Sequence, residues 1–481
     1  NMINTRVKID RRAFFSILAQ LYILLINVGF TMYGSDQLTK LSIFSFFNTI
    51  AVMVFLFIVG GKVFSVYTMF MLFLAVFHFG QAWLFGFGGV VDTNISYDIF
   101  SLYPESELYH ILLFSLLAYN LIAFFLLCSL CKKDGQQVLQ EKQSVEEMEY
   151  DRQNVLKFGK LFFTILLIPV SIYDYLIVTI SAVYGHLGLY ENSAKLSTWA
   201  AANSYFPLAI IIVLLASDPK KNGWKWMHYY AIIRCLLLML LTGKRGSFVI
   251  PLIIYFYCRH TFIQKYKKKH IVWIALGTIL LLTGLSFIAY GRGDYSSLNF
   301  TEFLFGKNII TQTLSEFGST FTTTILSYRY TLAHGFLNGK SYLGALSVFL
   351  PFSDYIASNL KEYFSIETIL NPYSPSGGAL GGSLFGELYI NFGYYALLLS
   401  PLIAWAVGKI EKVIQNRSKY KLFYNCCSIY ITYGFWIWVR GNFVDVVFVS
   451  KRILYVWILY NVYILVFRRK SVNEAKNINC I

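Results

Sequence analysis

The sequence predicts an all-α, polytopic integral membrane protein with about twelve transmembrane helices. Its 481 residues are 57% hydrophobic and 14% charged, and the mean hydropathy is +0.55. Soluble domains are about 45–50% apolar and about one-quarter charged, so this chain needs lipid as the solvent for much of its surface. The composition excludes a disordered chain, a coiled coil and a disulfide-stabilised secreted domain.

Apolar stretches long enough to cross about 30 Å of hydrocarbon recur along the whole chain. The chain is therefore expected to form a single membrane domain over residues 1–481. The predicted spans are 13–32, 41–59, 63–84, 108–130, 158–180, 203–217, 226–242, 246–258, 271–290, 383–407, 422–439 and 446–467. The stretch at 246–258 is short, so the pair around 226–258 either crosses or bends back into the membrane.

The orientation follows from the loops that carry Lys and Arg, because basic loops stay on the cytoplasmic side. Basic residues concentrate in alternate loops, among them the start "TRVKIDRR" and the polar tract 132–157. This pattern predicts that both termini are cytoplasmic and that 132–157 is a cytoplasmic loop. The net charge of +16 is then explained by topology, and no nucleic-acid partner is expected.

The longest segment between predicted spans, 291–382, is expected to be a large extracytoplasmic loop. Long loops are usually functional, so this one is the first candidate for handling a substrate. The part from 300 to 330 reads as an amphipathic helix or helix pair at the membrane interface, and the Gly, Pro and Ser residues that follow predict tight turns.

Basic residues also occur where the positive-inside bias does not expect them, at outer membrane edges or in the outer loop. They are Lys244, Arg245, Arg292, Arg329 and Arg440. Arg is costly near hydrocarbon, and its planar fork matches the oxygens of a phosphate or diphosphate. We interpret the set as a lipid-phosphate site. Each residue taken alone is equally well explained as a snorkelling side chain or as the partner of a nearby acid.

Two residues are candidates for a general base. Glu387 lies four residues before Asn391, so both share one helix face where the chain enters the tenth predicted span. Glu387 either accepts a proton from a sugar hydroxyl or pairs with an Arg. His334, the single His of the outer loop, is either a neutral base near pH 7 or a surface residue without a task.

Several familiar motifs are missing from the sequence. There is no Walker loop, no HExxH, no GxSxG and no DxD-like nucleotide-sugar site. The spacing Cys128-x-x-Cys131 lacks a second Cys or His pair, so it does not predict a zinc site. We therefore expect neither a metal nor a cofactor.

Several short motifs together resemble one family of membrane enzymes. They are "TGKRG", "GKSY" followed by Pro351, "GELYINFG" and "RGNF", together with the single large late outer loop. In this combination the chain resembles the bacterial Wzy-type O-antigen or capsule repeat-unit polymerases. The motifs cover roughly residues 200–450, and the architecture covers the whole chain.

The resemblance implies a metal-independent, inverting glycosyltransferase of the GT-C type in the bacterial cytoplasmic membrane, with its site facing outward. Its substrates would be oligosaccharide repeat units on undecaprenyl diphosphate, and a chain-length regulator protein is a further expected partner. By position, the basic residues Lys244, Arg245, Arg292, Arg329 and Arg440, with Asn391, would bind the substrate or its diphosphate. Glu387, with His334 as the rival, would deprotonate the acceptor hydroxyl.

Three other functions remain open at this point, and one of them is a polysaccharide acetyltransferase or an unrelated transporter of the inner membrane. An O-antigen ligase would share the substrate, the fold and the outer loop and would differ in its acceptor. A lipid-linked oligosaccharide flippase would do no covalent chemistry, and its cationic residues would be expected in a central cavity rather than at outer edges.

Overall fold

The structure is a computed structural model, and it describes residues 11–62, 64–91, 93, 96–131, 145–218, 223–243, 246–267, 277, 309–349, 360, 362–374, 380–416 and 422–478. Within these ranges the chain forms helices joined by turns, with no β-strand. The first nine α-helices are α1 (Arg11–Gly29), α2 (Leu38–Gly60), α3 (Val66–Gly86), α4 (Ile99–Leu102), α5 (Glu105–Cys131), α6 (Val145–Glu191), α7 (Ser193–Ala216), α8 (Trp224–Thr242) and α9 (Gly246–Cys258).

Eight further α-helices follow in the second half of the described chain. They are α10 (Ile309–Gly318), α11 (Phe321–His334), α12 (Lys340–Ser347), α13 (Ile366–Leu370), α14 (Leu384–Phe392), α15 (Ser400–Gln415), α16 (Leu422–Trp438) and α17 (Phe443–Ile478). A 3₁₀ segment, Gly393–Leu399, joins α14 to α15.

Among the described residues, seven helical segments are long and apolar enough to cross a membrane. They are Arg11–Met32, Ser35–Gly60, Val66–Gly86, Glu105–Cys131, Glu149–Gly185, Ala194–Ala216 and Leu384–Gln415. They coincide with seven of the predicted spans, and the all-α polytopic class is confirmed.

The count of twelve spans stays a prediction. The predicted spans at 226–242, 246–258, 422–439 and 446–467 are largely helical without meeting the same combination of length and hydropathy. The span at 271–290 falls outside the described residues except for residue 277.

The chain divides into two compact units. The first contains residues 1–140, 273–412 and 434–447. In it α3 packs against α2 and α10, α1 packs against α5, and α11 packs against α14. A Cβ atom added to Gly318 would lie 2.3 Å from the backbone nitrogen of Gln81, so α10 and α3 touch backbone to backbone.

The second unit contains residues 141–272, 413–433 and 448–481. Here α6 packs against α7 and α8. A buried ion pair joins two of these helices, because a guanidinium nitrogen of Arg234 lies 2.6 Å from Asp174 and 2.7 Å from the amide oxygen of Asn203. The Arg234 side chain is 8% exposed and also faces the ring of Phe206.

Two segments add detail to the sequence-based expectation. Helix α6 begins at Val145, inside the predicted loop 132–157, whose first part (132–144) lies outside the described residues. The predicted helix pair of the outer loop is present as α10 and α11. Helix α10 packs against α3 at Gly80, so it is part of the helix bundle, and the position of the pair at the membrane interface stays a prediction.

Candidate active site

Two chain segments meet in the first compact unit, the one before α14 and the one between α16 and α17. The backbone nitrogen of Leu384 donates to the carbonyl oxygen of Val439 at 3.3 Å. A Cβ atom added to Gly382 would lie 2.4 Å from the carbonyl carbon and oxygen of Gly441. Glycine at 382 is therefore what allows the two backbones to touch.

This meeting point lies part of the way down α3. The hydroxyl of Ser383 is 2.8 Å from Nε2 of His78, and the Arg440 guanidinium lies 5.6 Å from the ring centre of Phe77. Both α3 residues precede the end of that helix at Gly86 by two turns or more, about 12 Å at 1.5 Å per residue. Arg440 therefore lies beside α3 about two helical turns before that helix ends, and its position at a membrane edge stays a prediction.

A buried hydrogen-bonded chain surrounds His78. Its Nδ1 atom is 3.0 Å from the Leu74 carbonyl oxygen, which only accepts, so Nδ1 carries the proton and Nε2 accepts from the Ser383 hydroxyl. The Ser383 oxygen in turn accepts from the Thr324 hydroxyl and from the amide of Gly386. Sequence reasoning missed His78, although a His inside an apolar span is a signal that a polar partner exists.

Arg440 is half-buried next to this chain. No carboxylate of the described part of the chain forms an ion pair with it, and its guanidinium faces the aromatic ring of Phe77. Gly381 lies alongside, since its Cβ would be 3.6 Å from Nε of Arg440, and the Gly381 carbonyl is held by the Thr323 hydroxyl. A guanidinium in an apolar setting is stabilised by an anionic ligand, and its fork fits phosphate oxygens.

Glu387 is fully buried one turn after Ser383. Its carboxylate accepts three hydrogen bonds, from the Ser341 hydroxyl at 3.2 Å, the Trp438 indole at 2.8 Å and the backbone nitrogen of Phe443 at 2.7 Å. The last two donors flank Arg440 in sequence. Glu387 therefore fixes the turn that carries Arg440 onto α14.

Asn391 continues the same face of α14. Its side-chain nitrogen donates to the Glu387 carbonyl at 2.7 Å and to the Ser341 hydroxyl at 2.8 Å. Its side-chain oxygen is buried without a hydrogen-bond partner among the described residues. The four-residue spacing thus does bring Glu387 and Asn391 together. The turn that carries Arg440 is bonded to Glu387 on the same face.

Asn442 ties the same turn to α13. Its side chain accepts from the backbone nitrogen of Ile366 at 3.2 Å and donates to Ser365 at 3.1 Å and to Glu367 at 3.3 Å. Burial, with the nearby charge of Asp445 as a second cause, raises the pKa of Glu367 from 4.5 to about 7. Sequence reasoning gave Glu367 no special rank, because nothing in its local pattern reports this neighbourhood.

Arg329 and His334 lie further along α11. Arg329 forms a forked ion pair with Glu107 at 2.7 and 3.3 Å, lies over the Tyr103 ring and is 43% exposed. Nε2 of the exposed His334 is 2.8 Å from the Tyr373 hydroxyl. His334 is ten residues from Thr324, about 15 Å along the helix, so the structure does not bring it to Arg440.

The remaining predicted basic residues, Lys244, Arg245 and Arg292, lie outside the described residues. Within the described ranges, no group of three or more His, Cys, Asp or Glu side chains is arranged to hold a metal ion.

The helices and this buried cluster define a polytopic all-α membrane protein whose first unit contains a turn that carries Arg440. The family model of the O-antigen polysaccharide polymerase Wzy matches residues 13–471, nearly the whole chain. The chain therefore belongs to this family, and the resemblance drawn from its motifs is confirmed. Comparison with curated proteins and with solved structures gave no match.

Proposed function

We propose that the protein joins undecaprenyl-diphosphate-linked oligosaccharide repeat units into O-antigen or capsular polysaccharide by inverting glycosyl transfer. The match of the polymerase family model over residues 13–471 carries this proposal. The site adds support, because the half-buried Arg440 forms no ion pair with a carboxylate of the described residues. The diphosphate of the substrate would be its anionic partner.

The proposed reaction exchanges one bond at an anomeric carbon. An acceptor sugar hydroxyl of the incoming unit forms a new bond to the anomeric carbon of the growing chain. The bond from that carbon to the diphosphate oxygen breaks, its electron pair goes to the diphosphate, and the hydroxyl proton goes to a base. Arg440 would stabilise the negative charge that develops on the leaving diphosphate. No metal or cofactor is part of this proposal.

Arg440 is the residue that we place first at the diphosphate. Arg329 is a weaker candidate in this conformation because Glu107 already occupies its fork. Lys244, Arg245 and Arg292 remain proposed contributors on the basis of their sequence positions, and Asn391 remains one through its link to Glu387.

The proton acceptor remains a choice between Glu387 and His334. Glu387 is close to the Arg440 turn, but its carboxylate is enclosed and already accepts three hydrogen bonds. His334 is open to solvent but lies further along α11. We infer that Glu387 acts as a positioning residue, holding the turn of Arg440, and that His334 stays a candidate base whose substrate would have to reach it.

The proposed setting is the outer face of the bacterial cytoplasmic membrane. It includes twelve spans with a GT-C-like arrangement, cytoplasmic termini and the extracytoplasmic loop 291–382. A chain-length regulator protein is a proposed partner, and nucleic acid is not.

The proposal is tested with purified protein in lipid nanodiscs supplied with the lipid-diphosphate repeat unit. We expect a ladder of polymer, lost with Arg440→Ala and partly kept with Arg440→Lys, which retains the charge but not the fork. Arg11→Ala, at an exposed position at the start of α1, is the matched control and should leave the ladder intact. A folded wild-type protein that forms no ladder contradicts the proposal.

Two further readouts separate the alternatives. Transfer of the glycan to added lipid A–core, without a ladder, would identify a ligase. Movement of the lipid-linked unit across sealed vesicles, without any new glycosidic bond, would identify a flippase.

A further inference from the structure

A cavity of about 340 Å³ opens in the first compact unit, away from the Arg440 turn. It lies where the connection between α1 and α2 faces the first turns of α5. Its lining includes Tyr33, Ser106, Tyr109, His110 and Tyr394. None of these residues belongs to the cluster around Arg440, so the cavity is a second candidate binding site.

The aromatic walls of this cavity are held in place by their own hydrogen bonds. The Tyr109 hydroxyl donates to the Phe30 carbonyl at 2.6 Å, and the Tyr394 hydroxyl donates to the His110 carbonyl at 3.3 Å. Nε2 of His110 lies 3.1 Å from the Tyr389 hydroxyl on α14. A site that is rigid before binding loses less entropy when the ligand arrives.

The lining combines aromatic faces with available hydroxyl groups. Tyr33 stands at the rim and is 63% exposed. Ser35 and Ser106 also line the cavity, and within the described chain their hydroxyls bond to no protein group. A pyranose ring presents C–H groups on its faces and hydroxyls around its edge, so aromatic rings and small hydroxyl side chains complement it.

The charge around the cavity disfavours a phosphate. No Lys or Arg occurs among its lining residues in the part of the chain that the structure describes. Asp36 and Glu105 adjoin lining residues in sequence and are exposed. An uncharged, hydroxyl-rich ligand fits this environment better than the diphosphate that suits Arg440.

The two sites are close enough for one substrate. Helix α14 begins beside Ser383 at the Arg440 turn, and Tyr389, which contacts His110, follows six residues later, about 9 Å along the helix. We propose that this cavity binds an uncharged sugar ring of the repeat unit at a distance from the diphosphate. This inference rests on the proposed function, because it assigns the cavity to the same substrate.

The test uses the repeat-unit oligosaccharide without lipid or diphosphate, released from the source organism's own surface polysaccharide. Its binding to the full-length purified protein is measured by isothermal titration calorimetry. We expect Tyr33→Ala, which removes a stacking face, and Ser106→Trp, which fills the cavity, each to raise the Kd about tenfold or more. Tyr395→Ala (81% exposed) and Leu102→Trp are matched changes outside the lining and should leave the Kd unchanged.

The outcomes separate this inference from the proposed function. An absence of binding to wild type, or equal binding by both cavity variants, overturns the inference even if polymer forms. Binding that depends on the cavity, in a protein that makes no polymer, supports the sugar site and contradicts the polymerase. Tyr33 lies at the rim, so its variant keeps the test valid if the larger Ser106→Trp change prevents folding.

Discussion

The indole nitrogen of Trp438 donates a 2.8 Å hydrogen bond to Oε2 of Glu387, and both side chains are buried. The same oxygen accepts from the backbone of Phe443, so one carboxylate oxygen holds both ends of the turn that carries Arg440. If Glu387 is a positioning residue, its substitution should have a different effect from the one expected if it is the general base.

Glu387→Gln should preserve the turn, because the amide oxygen can accept from Trp438 and Phe443 while its NH₂ group faces the Ser341 oxygen. We expect this variant to keep a Tm near that of wild type and most of the polymerising activity. Glu387→Ala leaves three donors, those of Ser341, Trp438 and Phe443, without their acceptor, which costs about 1–3 kcal/mol for each buried group, and should lower both Tm and activity. Thermal unfolding in detergent and the rate of ladder formation measure these effects.

The opposite result would also be informative. A folded Glu387→Gln variant whose rate falls by roughly 10²-fold or more would identify the carboxylate as the general base and reject the positioning role.

The contact between Gly382 and Gly441 predicts that an added methyl group is far more destabilising at position 382 than at the neighbouring position 381. Gly382→Ala places a Cβ atom 2.4 Å from backbone atoms of Gly441, which have no flexible side chain to move aside. We expect a loss of about 1–3 kcal/mol in stability and a loss of activity. Gly381→Ala is the matched control, because its Cβ meets Arg440 at an ordinary 3.6 Å. Equal Tm values for the two variants would refute the close contact.

Glu367 predicts a pH dependence of stability. Its pKa is raised from 4.5 to about 7 in the folded protein, so the folded state holds this proton more tightly than the unfolded state. The stability that the proton contributes is full below about pH 4.5 and is lost as the pH rises through about 7. Glu367→Gln should therefore be more stable than wild type at pH 8, by on the order of 2 kcal/mol, and nearly equal at pH 4.5.

The measurement for Glu367 is Tm against pH for wild type and variant. Glu362→Gln, an exposed carboxyl in the same segment, is the control and should follow the wild-type curve. A difference between Glu367→Gln and wild type that does not change with pH would contradict the raised pKa.

The pair formed by Arg234 and Asp174 predicts strong coupling in the second unit. Removing one partner leaves an uncompensated buried charge, so Arg234→Met alone should cost about 3–5 kcal/mol. Arg234→Met combined with Asp174→Leu removes both charges and should recover most of that loss. A double-mutant cycle of Tm values in detergent measures the coupling, and additive effects would show that the pair does not act as a unit.

Local sequence patterns predicted the structural features that depend only on residues close in sequence, namely the apolar spans and the shared helix face of Glu387 and Asn391. Lipid exposure selects long apolar runs, so the spans of α1, α2, α3 and α5 follow from hydropathy alone. The helical spacing of Glu387 and Asn391 also placed both on one face, as their hydrogen bonds show. These features need no knowledge of which helices are neighbours.

Contacts between distant segments could not be predicted in the same way. In a span that is apolar on nearly all sides, no stripe marks the face that meets another helix. The position of Arg440 over Phe77, and that of Asn442 against α13, therefore had no signal in the sequence. Glu367 is an example, because its raised pKa comes from burial and from Asp445, and its local sequence does not distinguish it from the other acidic residues of the predicted loop.

The hydrogen bond between His78 and Ser383 joins residues that are 305 positions apart in the chain. Because a chain grows at about 5–20 residues per second, α3 is made roughly 15–60 seconds before its hydroxyl partner leaves the ribosome. During that interval the newly made helix carries an imidazole whose Nε2 atom has no permanent hydrogen-bond donor. Until Ser383 is synthesised, water, a lipid headgroup or an insertion chaperone must therefore form the hydrogen bond to His78. A chain truncated before residue 383 would keep His78 in this state permanently.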